Sequence, residues 1–269
     1  MNFNKYIEYL STKVKVCLKE NKYSKDGGRI KYILEKEKSN ILIVVMSSCT
    51  RPGIKARYNY NRTLKKIKAN KLFILDDFGI DSRGSYYLGK KGEFNIEDAV
   101  RELILKIKKE LNIRTSIYVG SSKGGYAALY FGLDDSNSNI IVGAPQYYLG
   151  SYLKERHPHV LEFIKGNSEE EGIVHLNNLL SNKIINSKYH GRIFIHYSTE
   201  EHTYEEHIKY MLEDLKENGV YININEGKYK SHADISKHFP KYLLDTIDNI
   251  LDIWVLKNYF RIELLFEIT

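Results

Sequence analysis

From Val119 to Gly125 the chain reads Val-Gly-Ser-Ser-Lys-Gly-Gly. The core of this run, Gly120-Ser121-Ser122-Lys123-Gly124, follows the β-branched stretch Ile117-Tyr118-Val119 and precedes the helix-forming residues Ala127, Ala128 and Leu129. A serine on so tight a strand-to-helix turn needs neighbours without a Cβ, and the turn then lifts the middle side chain above the sheet. Ser122 is therefore the candidate nucleophile. Its place at a helix N-terminus favours developing negative charge, and the backbone N–H of Lys123 is expected to donate to an oxyanion. Ser121 points elsewhere on such a turn and is expected to tolerate alanine. The spacing fits neither Gly-x-Gly-x-x-Gly nor a Walker loop, which argues against a phosphate cradle.

A serine hydroxyl needs a base, and the chain order on a strand-nucleophile-helix scaffold is nucleophile, acid, histidine. Nine histidines compete. His157, His159, His175 and His190 fall in a polar stretch, His196 inside a strand, and His202 and His207 in the loop and helix after it. His232, in Lys230-Ser231-His232-Ala233-Asp234, lies between the last strand and the last helix, where the base belongs; His238 is the alternative. The orienting carboxylate is expected just after the preceding strand, in Ser198-Thr199-Glu200-Glu201-His202. Counting from the strand end favours Glu201, with Glu200 as the alternative acid. A second oxyanion donor is expected from backbone N–H groups at Ser48 or Cys49, beside Ser47.

The elements that must position these groups follow from hydrophobic pattern. Asp26-Gly27-Gly28 reads as a hairpin turn between strands Val14 to Leu18 and Ile30 to Leu34. Asn40 to Met46 and Lys71 to Leu75 read as buried strands. Asn95 is the expected N-cap of a helix with apolar residues at Ile96, Val100, Leu103, Ile104 and Ile107. Ser116 to Val119, Ile140 to Val142, Arg192 to Tyr197 and Tyr221 to Asn225 complete the strands, giving a parallel βαβαβ run in the middle of the chain. Thr203 with Glu206 reads as a capping box for a helix that Asn218-Gly219 ends. Residues 146–190 have polar, helix-like pieces such as Val174 to Leu180 and read as an inserted helical lid. From Phe239 an amphipathic helix closes the chain. The expected architecture is α/β, of the α/β-hydrolase fold: a mainly parallel central sheet with helices on both faces, in a single domain over residues 1–269.

Composition narrows the function classes. With 42% hydrophobic and 28% charged residues in 269, the chain is of globular type. No apolar run reaches the roughly 18 residues that span a bilayer, and Met1 to Leu10 lacks a signal-peptide core, so a cytoplasmic location is expected. Cys17 and Cys49 form no disulfide framework, and with the scattered histidines they form no metal-ligand set, so no metal is expected. The net charge of +7 is uneven. Arg51, Lys55, Arg57, Arg62, Lys65, Lys66, Lys68 and Lys71 run with no acidic residue between them; they form either an anion-docking surface or a solvated basic helix. No nucleic-acid motif accompanies them, and no nucleic-acid partner is expected.

Four groups of residues carry a resemblance: Asp76-Asp77-Phe78-Gly79 with Tyr86-Tyr87-Leu88-Gly89, the elbow from Val119 to Tyr130, Gly143-Ala144-Pro145-Gln146, and Glu201-His202-Thr203-Tyr204. With them the chain, from about residue 40 to 240, resembles bacterial capsular polysaccharide biosynthesis proteins of the α/β-hydrolase superfamily. Capsule O-acetyltransferases are among these, and accessory Sec acetyltransferase-like proteins are more distantly similar. The resemblance implies Ser122 as nucleophile, Glu201 or Glu200 as acid and His232 as base. It also implies acetyl-CoA as acyl-donor substrate with no bound cofactor, an anionic polysaccharide or other glycan acceptor, and possible peripheral association with a glycan-assembly complex. Arg57, Tyr58, Tyr60, Tyr86 and Tyr87 are candidates for substrate binding, the tyrosines by stacking on sugar rings. An esterase or deacetylase with the same triad, and a non-catalytic scaffold, are the alternatives.

Overall fold

A computed structural model describes residues 16, 18–166 and 170–266, with side chains to residue 252. Eight strands form one sheet in the order β1-β2-β4-β3-β5-β6-β7-β8. They are β1 (Glu20–Lys25), β2 (Gly28–Glu35), β3 (Ile41–Met46), β4 (Asn70–Leu75), β5 (Thr115–Ser121), β6 (Asn139–Gly143), β7 (Arg192–Tyr197) and β8 (Tyr221–Glu226). β2 runs antiparallel to both neighbours, and every pair from β4 to β8 is parallel. β3, β4 and β6 are buried at every position, the pattern of strands covered on both faces.

Among the described residues the sheet is flanked by the helices α1 (Asn95–Glu110), α2 (Lys123–Gly132), α3 (Leu149–Arg156), α4 (Pro158–Lys165), α5 (Glu170–Asn186), α6 (Lys209–Glu217) and α7 (Ile235–Phe266). Residue parity along β6 assigns two of them to opposite faces. The Ile140 side chain meets α2 at Gly132, whereas position 143, three residues on, lies against Phe239 of α7. α1 buries Ile96, Ala99, Val100, Leu103, Ile104 and Ile107, the three- and four-residue spacing of one apolar face.

Several sequence expectations are corrected. The reading of Met1 to Leu10 concerns residues outside those described, as do Val14, Lys15 and Cys17 of the expected first strand. Leu18 is helical, and the strand that pairs with β2 is Glu20–Lys25. The turn explains this: Asp26 and Gly27 both have positive φ (46° and 83°), the two-residue type I′ geometry that pairs Lys25 directly with Gly28. Asn95 is the first residue of α1, not its cap; Phe94, at φ 48°, precedes it. The basic segment is not a helix. It is a loop from β3 to β4 with one 3₁₀ turn at Thr63–Lys66, and Lys71 belongs to β4, buried within 3.8 Å of Glu35. Thr203 makes no capping box either, because its hydroxyl donates to Glu201 and Glu206 pairs with Arg156 at 2.8 Å.

One buried ion pair ties the elbow helix to the loop after β4. Lys123 Nζ lies 2.7 Å from Asp76 Oδ2, with side-chain exposures of 2% and 0%. Asp76 also accepts from the N–H of Ser85 (2.9 Å) and of Tyr87 (3.2 Å), so its charge is fully hydrogen-bonded. Gly84 permits the approach, since a Cβ there would lie 2.1 Å from Lys123 Nζ. Removing one partner strands a buried charge. Asp76→Ala is therefore expected to cost about 3–5 kcal/mol, read as a lowered urea midpoint. The double variant Asp76→Leu with Lys123→Met, which removes both charges, should recover most of that loss.

Candidate active site

Loops leaving the C-terminal ends of the parallel strands converge on one rim. Ser47 to Cys49 leave β3, Asp76 leaves β4, Ser122 follows β5, Gln146 follows β6, Glu201 follows β7 and His232 follows β8. Open α/β sheets bind ligands at this edge. A cavity of about 480 Å³ between α2 and α5 opens at the opposite strand ends, and none of these residues lines it.

Ser122 sits at φ 53°, ψ −124°, a strained conformation outside the ordinary regions for a side-chain-bearing residue. Its N–H donates to Gly143 O (2.8 Å) and its carbonyl accepts from Tyr126 N–H (3.0 Å). Gly120 makes the turn sterically possible: a Cβ there would fall 2.1 Å from Gly124 O. So held, Ser122 Oγ lies 2.8 Å from His232 Nε2, and His232 Nδ1 lies 3.0 Å from Glu201 Oε1. With an anionic acceptor at Nδ1, the ring carries its proton there and leaves Nε2 to accept the serine proton.

Of the paired glutamates, Glu201 has a fully buried side chain against His232, while Glu200 is exposed. Burial alone would raise the Glu201 pKa. The hydrogen bond and charge of His232 and two bonds from Thr203 outweigh burial and hold it below the usual carboxylate range. His238 stacks on Tyr229 at 5.0 Å on an exposed turn of α7. Burial, then the charges of His202 and Arg156, push His207 down to about 4, and its Nδ1 accepts from Tyr148 N–H at 3.3 Å. His196 is enclosed by Tyr229 and Tyr242, with Nδ1 2.6 Å from Asn225 Oδ1.

The remaining sequence candidates are sorted by burial and partners. The Ser48 N–H already donates to Asn59 Oδ1 at 2.9 Å, and its hydroxyl donates to Ser121 O at 2.9 Å. Ser121, expected to be a bystander, has a buried hydroxyl 2.6 Å from Tyr60 OH and 3.0 Å from Ser48 Oγ. Tyr87 is corrected from sugar platform to core: fully buried, its hydroxyl donates to Ile74 O at 2.9 Å and accepts from Ser47 N–H at 2.6 Å. Tyr86 is 5% exposed, packs edge-on against Tyr126, and borders a cavity of about 20 Å³ beside Cys49, Lys123 and Tyr152. Tyr58 donates to Glu20 at 3.0 Å, and Arg57 is exposed.

Sequence reasoning assigned no role to Gln146, Asp76 or His202 and gave Thr203 only a helix cap, although each stands in a segment it singled out. Gln146 Nε2 reaches Ser122 Oγ at 3.3 Å. His202 Nδ1 lies 3.0 Å from the same Glu201 oxygen that His232 uses. Their visible signal is position within a few residues of a strand's C-terminal end.

Because the folded Glu201 pKa is depressed, its contribution to stability is complete above the ordinary value near 4.5 and is lost as pH falls through the lower folded value. The melting-temperature gap between wild type and Glu201→Gln should therefore narrow as pH is lowered from neutrality through that range. A gap independent of pH would deny the carboxylate this role.

No protein-family model matches the chain, and no curated protein matches it in sequence. Solved structures do match. The capsule O-acetyltransferase of Neisseria meningitidis serogroup A superposes with TM-score 0.71 at 22% identity, over 84% of this chain and 92% of that one. A histidine-to-alanine variant of that enzyme, in complex with CoA, matches with TM-score 0.69 at 23% identity, over 86% and 95%. A glycosylation-associated protein complex from Streptococcus agalactiae matches with TM-score 0.70 at 18% identity, over 86% of this chain and 47% of that chain. The S-formylglutathione hydrolase of Agrobacterium tumefaciens matches with TM-score 0.58 at 13% identity, over 83% and 92%. At these identities the likeness is one of architecture: the chain has the α/β-hydrolase fold expected from its sequence.

Proposed function

We propose that the protein is a serine-nucleophile O-acyltransferase that acetylates a hydroxyl of a capsular or cell-surface polysaccharide from acetyl-CoA in the cytoplasm. The observation that carries this reading is the continuous chain Ser122 Oγ to His232 Nε2 (2.8 Å) and His232 Nδ1 to Glu201 (3.0 Å) on a strained elbow. Its likeness in fold to an O-acetyltransferase whose variant was solved with CoA supports the choice of donor.

In this reading Ser122 Oγ attacks the thioester carbonyl while its proton passes to His232 Nε2. The C–S bond breaks, the CoA sulfur takes that proton, and acetyl-Ser122 remains. A glycan hydroxyl then attacks the acetyl carbonyl, giving its proton to His232; the C–Oγ bond breaks and Oγ recovers the proton. Glu201 holds the ring and balances the imidazolium. Lys123 N–H stabilises the oxyanion, with Cys49 N–H as second donor in place of the engaged Ser48 N–H. Residues 146–190 act as a lid, pinned at the rim by His159 to Asp81 (3.1 Å) and Arg156 to Glu206 (2.8 Å), within a single domain. Exposed Arg51, Lys55, Arg57, Lys65, Lys66 and Lys68 draw in anionic donor and acceptor. Likeness to a glycosylation-associated complex supports peripheral association with a glycan-assembly complex.

Incubation with acetyl-CoA and candidate glycans, following free thiol and glycan acetylation together, tests the reading. Thiol release that requires acceptor is expected; release without acceptor would indicate the hydrolase alternative, and no release a scaffold. Ser122→Ala should fold and lose about six orders of magnitude in turnover. Glu201→Gln should fall by orders of magnitude and Glu200→Gln by much less; the opposite ranking would move the acid to Glu200.

Replacing Lys65, Lys66 and Lys68 with Gln should raise KM and flatten its dependence on salt, because screening acts on the charges removed. An unaltered salt profile would return the loop to ordinary surface.

A further inference from the structure

Beside Ser122 stands a side chain that the triad does not account for. Gln146 is fully buried, its Nε2 is 3.3 Å from Ser122 Oγ, and its Oε1 is buried with no hydrogen-bond partner. A buried amide with one end unpaired is costly, so the orientation of this side chain is not set by its own satisfaction. It is set by the serine. Ser122 Oγ has one proton, and that proton faces His232 Nε2 at 2.8 Å, leaving only lone pairs toward Gln146. The amide must present its N–H there; with the carbonyl turned inward, two acceptors would compete for one proton.

The backbone fixes this placement before any ligand arrives. Ala144, at φ 39°, starts the segment from a left-handed conformation with its N–H on His196 O at 2.8 Å. Pro145 then packs against the elbow helix, 3.2 Å from where a Cβ on Gly125 would stand. Loop and elbow are therefore locked together, and the Gln146 donor has little freedom to leave Oγ.

We infer that Gln146 is a further catalytic residue, whose side-chain N–H directs the Ser122 proton to His232 and then holds Oγ as the leaving oxygen of the acyl-serine. The inference rests on the proposed nucleophilic role of Ser122. In the first half, Oγ forms its bond to the acyl carbon while its proton goes to His232 and the donor's sulfur departs. In the second half, the acceptor oxygen bonds to the acyl carbon, the acceptor proton goes to His232, and the acyl carbon to Oγ bond breaks with its electron pair on Oγ. Charge accumulates on Oγ at that moment, before His232 returns the proton. Gln146 then donates to the atom that becomes negative, from a dry position where such a bond counts most. This is separate from the oxyanion donors, which face the carbonyl oxygen.

The test uses the full chain and a serine-directed fluorophosphonate, which reports on Ser122 whatever the natural substrate is. Gln146→Met keeps length and volume but loses the donor, and should slow labelling of Ser122 by about tenfold or more. Gln146→Glu gives a signature that a structural role would not. Protonated, the carboxyl can still donate to Oγ; ionised, it opposes charge on Oγ, so labelling should fall as pH rises through neutrality while the wild-type rate climbs. Equal labelling of wild type and a folded Gln146→Met overturns this inference alone. If Gln146→Met does not fold, a Gln146→Glu pH profile of wild-type shape does the same. Absence of labelling in the wild type overturns the nucleophile reading and this inference with it.

Discussion

The strained backbone of Ser122 is the constraint on which the rest of the site depends. Its φ of 53° puts a side-chain-bearing residue where glycine is normally found, and such a conformation persists only where the surroundings over-determine it. Four restraints do so from different directions. Gly143 O holds its N–H at 2.8 Å, Tyr126 N–H holds its carbonyl at 3.0 Å, Gly124 presses against the carbonyl of Met46, and the next side chain, Lys123, is anchored to Asp76 at 2.7 Å. The first three belong to the sheet and to α2. The fourth reaches across to the loop after β4, so that rim loop is tied to the turn by a pair of charges that water cannot reach.

Anchoring of this kind is what a hydrogen-bonded set of side chains assembled from distant sequence needs. Ser122 and His232 are 110 residues apart in the chain, and Glu201 and His232 are 31 apart. Parallel strands bring them together because each strand ends at the same edge, and a loop of a few residues then suffices to reach the next strand's neighbour. The neighbours β5, β6, β7 and β8 deliver Ser122, Gln146, Glu201 and His232 in spatial order along that edge. Order along the edge therefore reproduces order along the chain. Thr203 adds the last restraint, using both N–H and hydroxyl to fix the Glu201 carboxylate instead of capping its own helix.

That detail also marks where the sequence stops being legible. Strands of the sheet centre and the elbow could be read because burial on both faces and a glycine-forced turn leave few alternatives. The choice between Glu200 and Glu201 could be read only as a preference for Glu201 by counting from the strand end, since adjacent residues on a loop differ only in direction, which the fold supplies. Thr203 with Glu206 has the spacing of a capping box, but a threonine hydroxyl donates equally well to a carboxylate two residues back, and a buried charge is the stronger acceptor. Val14 to Leu18 attracted the first strand through apolar content, whereas the Asp26-Gly27 turn dictates that the pairing strand ends at the turn itself, however polar Glu20–Lys25 is. Tyr87 looked like a surface aromatic beside Tyr86. Only the fold reveals that its hydroxyl fills the gap between β3 and β4, bonded to Ser47 and Ile74.

The loop from Ser47 to Ala69 joins two features that look unrelated in the sequence. It is tied beside the elbow at two places: Ser48 bonds Ser121, and Tyr60 reaches the same Ser121 hydroxyl at 2.6 Å from a left-handed turn at φ 61°. Exposed basic residues lie on both sides of Tyr60, with Arg51, Lys55 and Arg57 between the two ties and Lys65, Lys66 and Lys68 after them. The basic stretch is thus attached to the segment that carries the turn at Ser122 by side-chain hydrogen bonds from Ser48 and Tyr60 to Ser121. Burial raises the Tyr60 hydroxyl to about 12, with the bonds to Ser121 and Ser48 working the other way, so it stays a neutral hydrogen-bonding group through the physiological range.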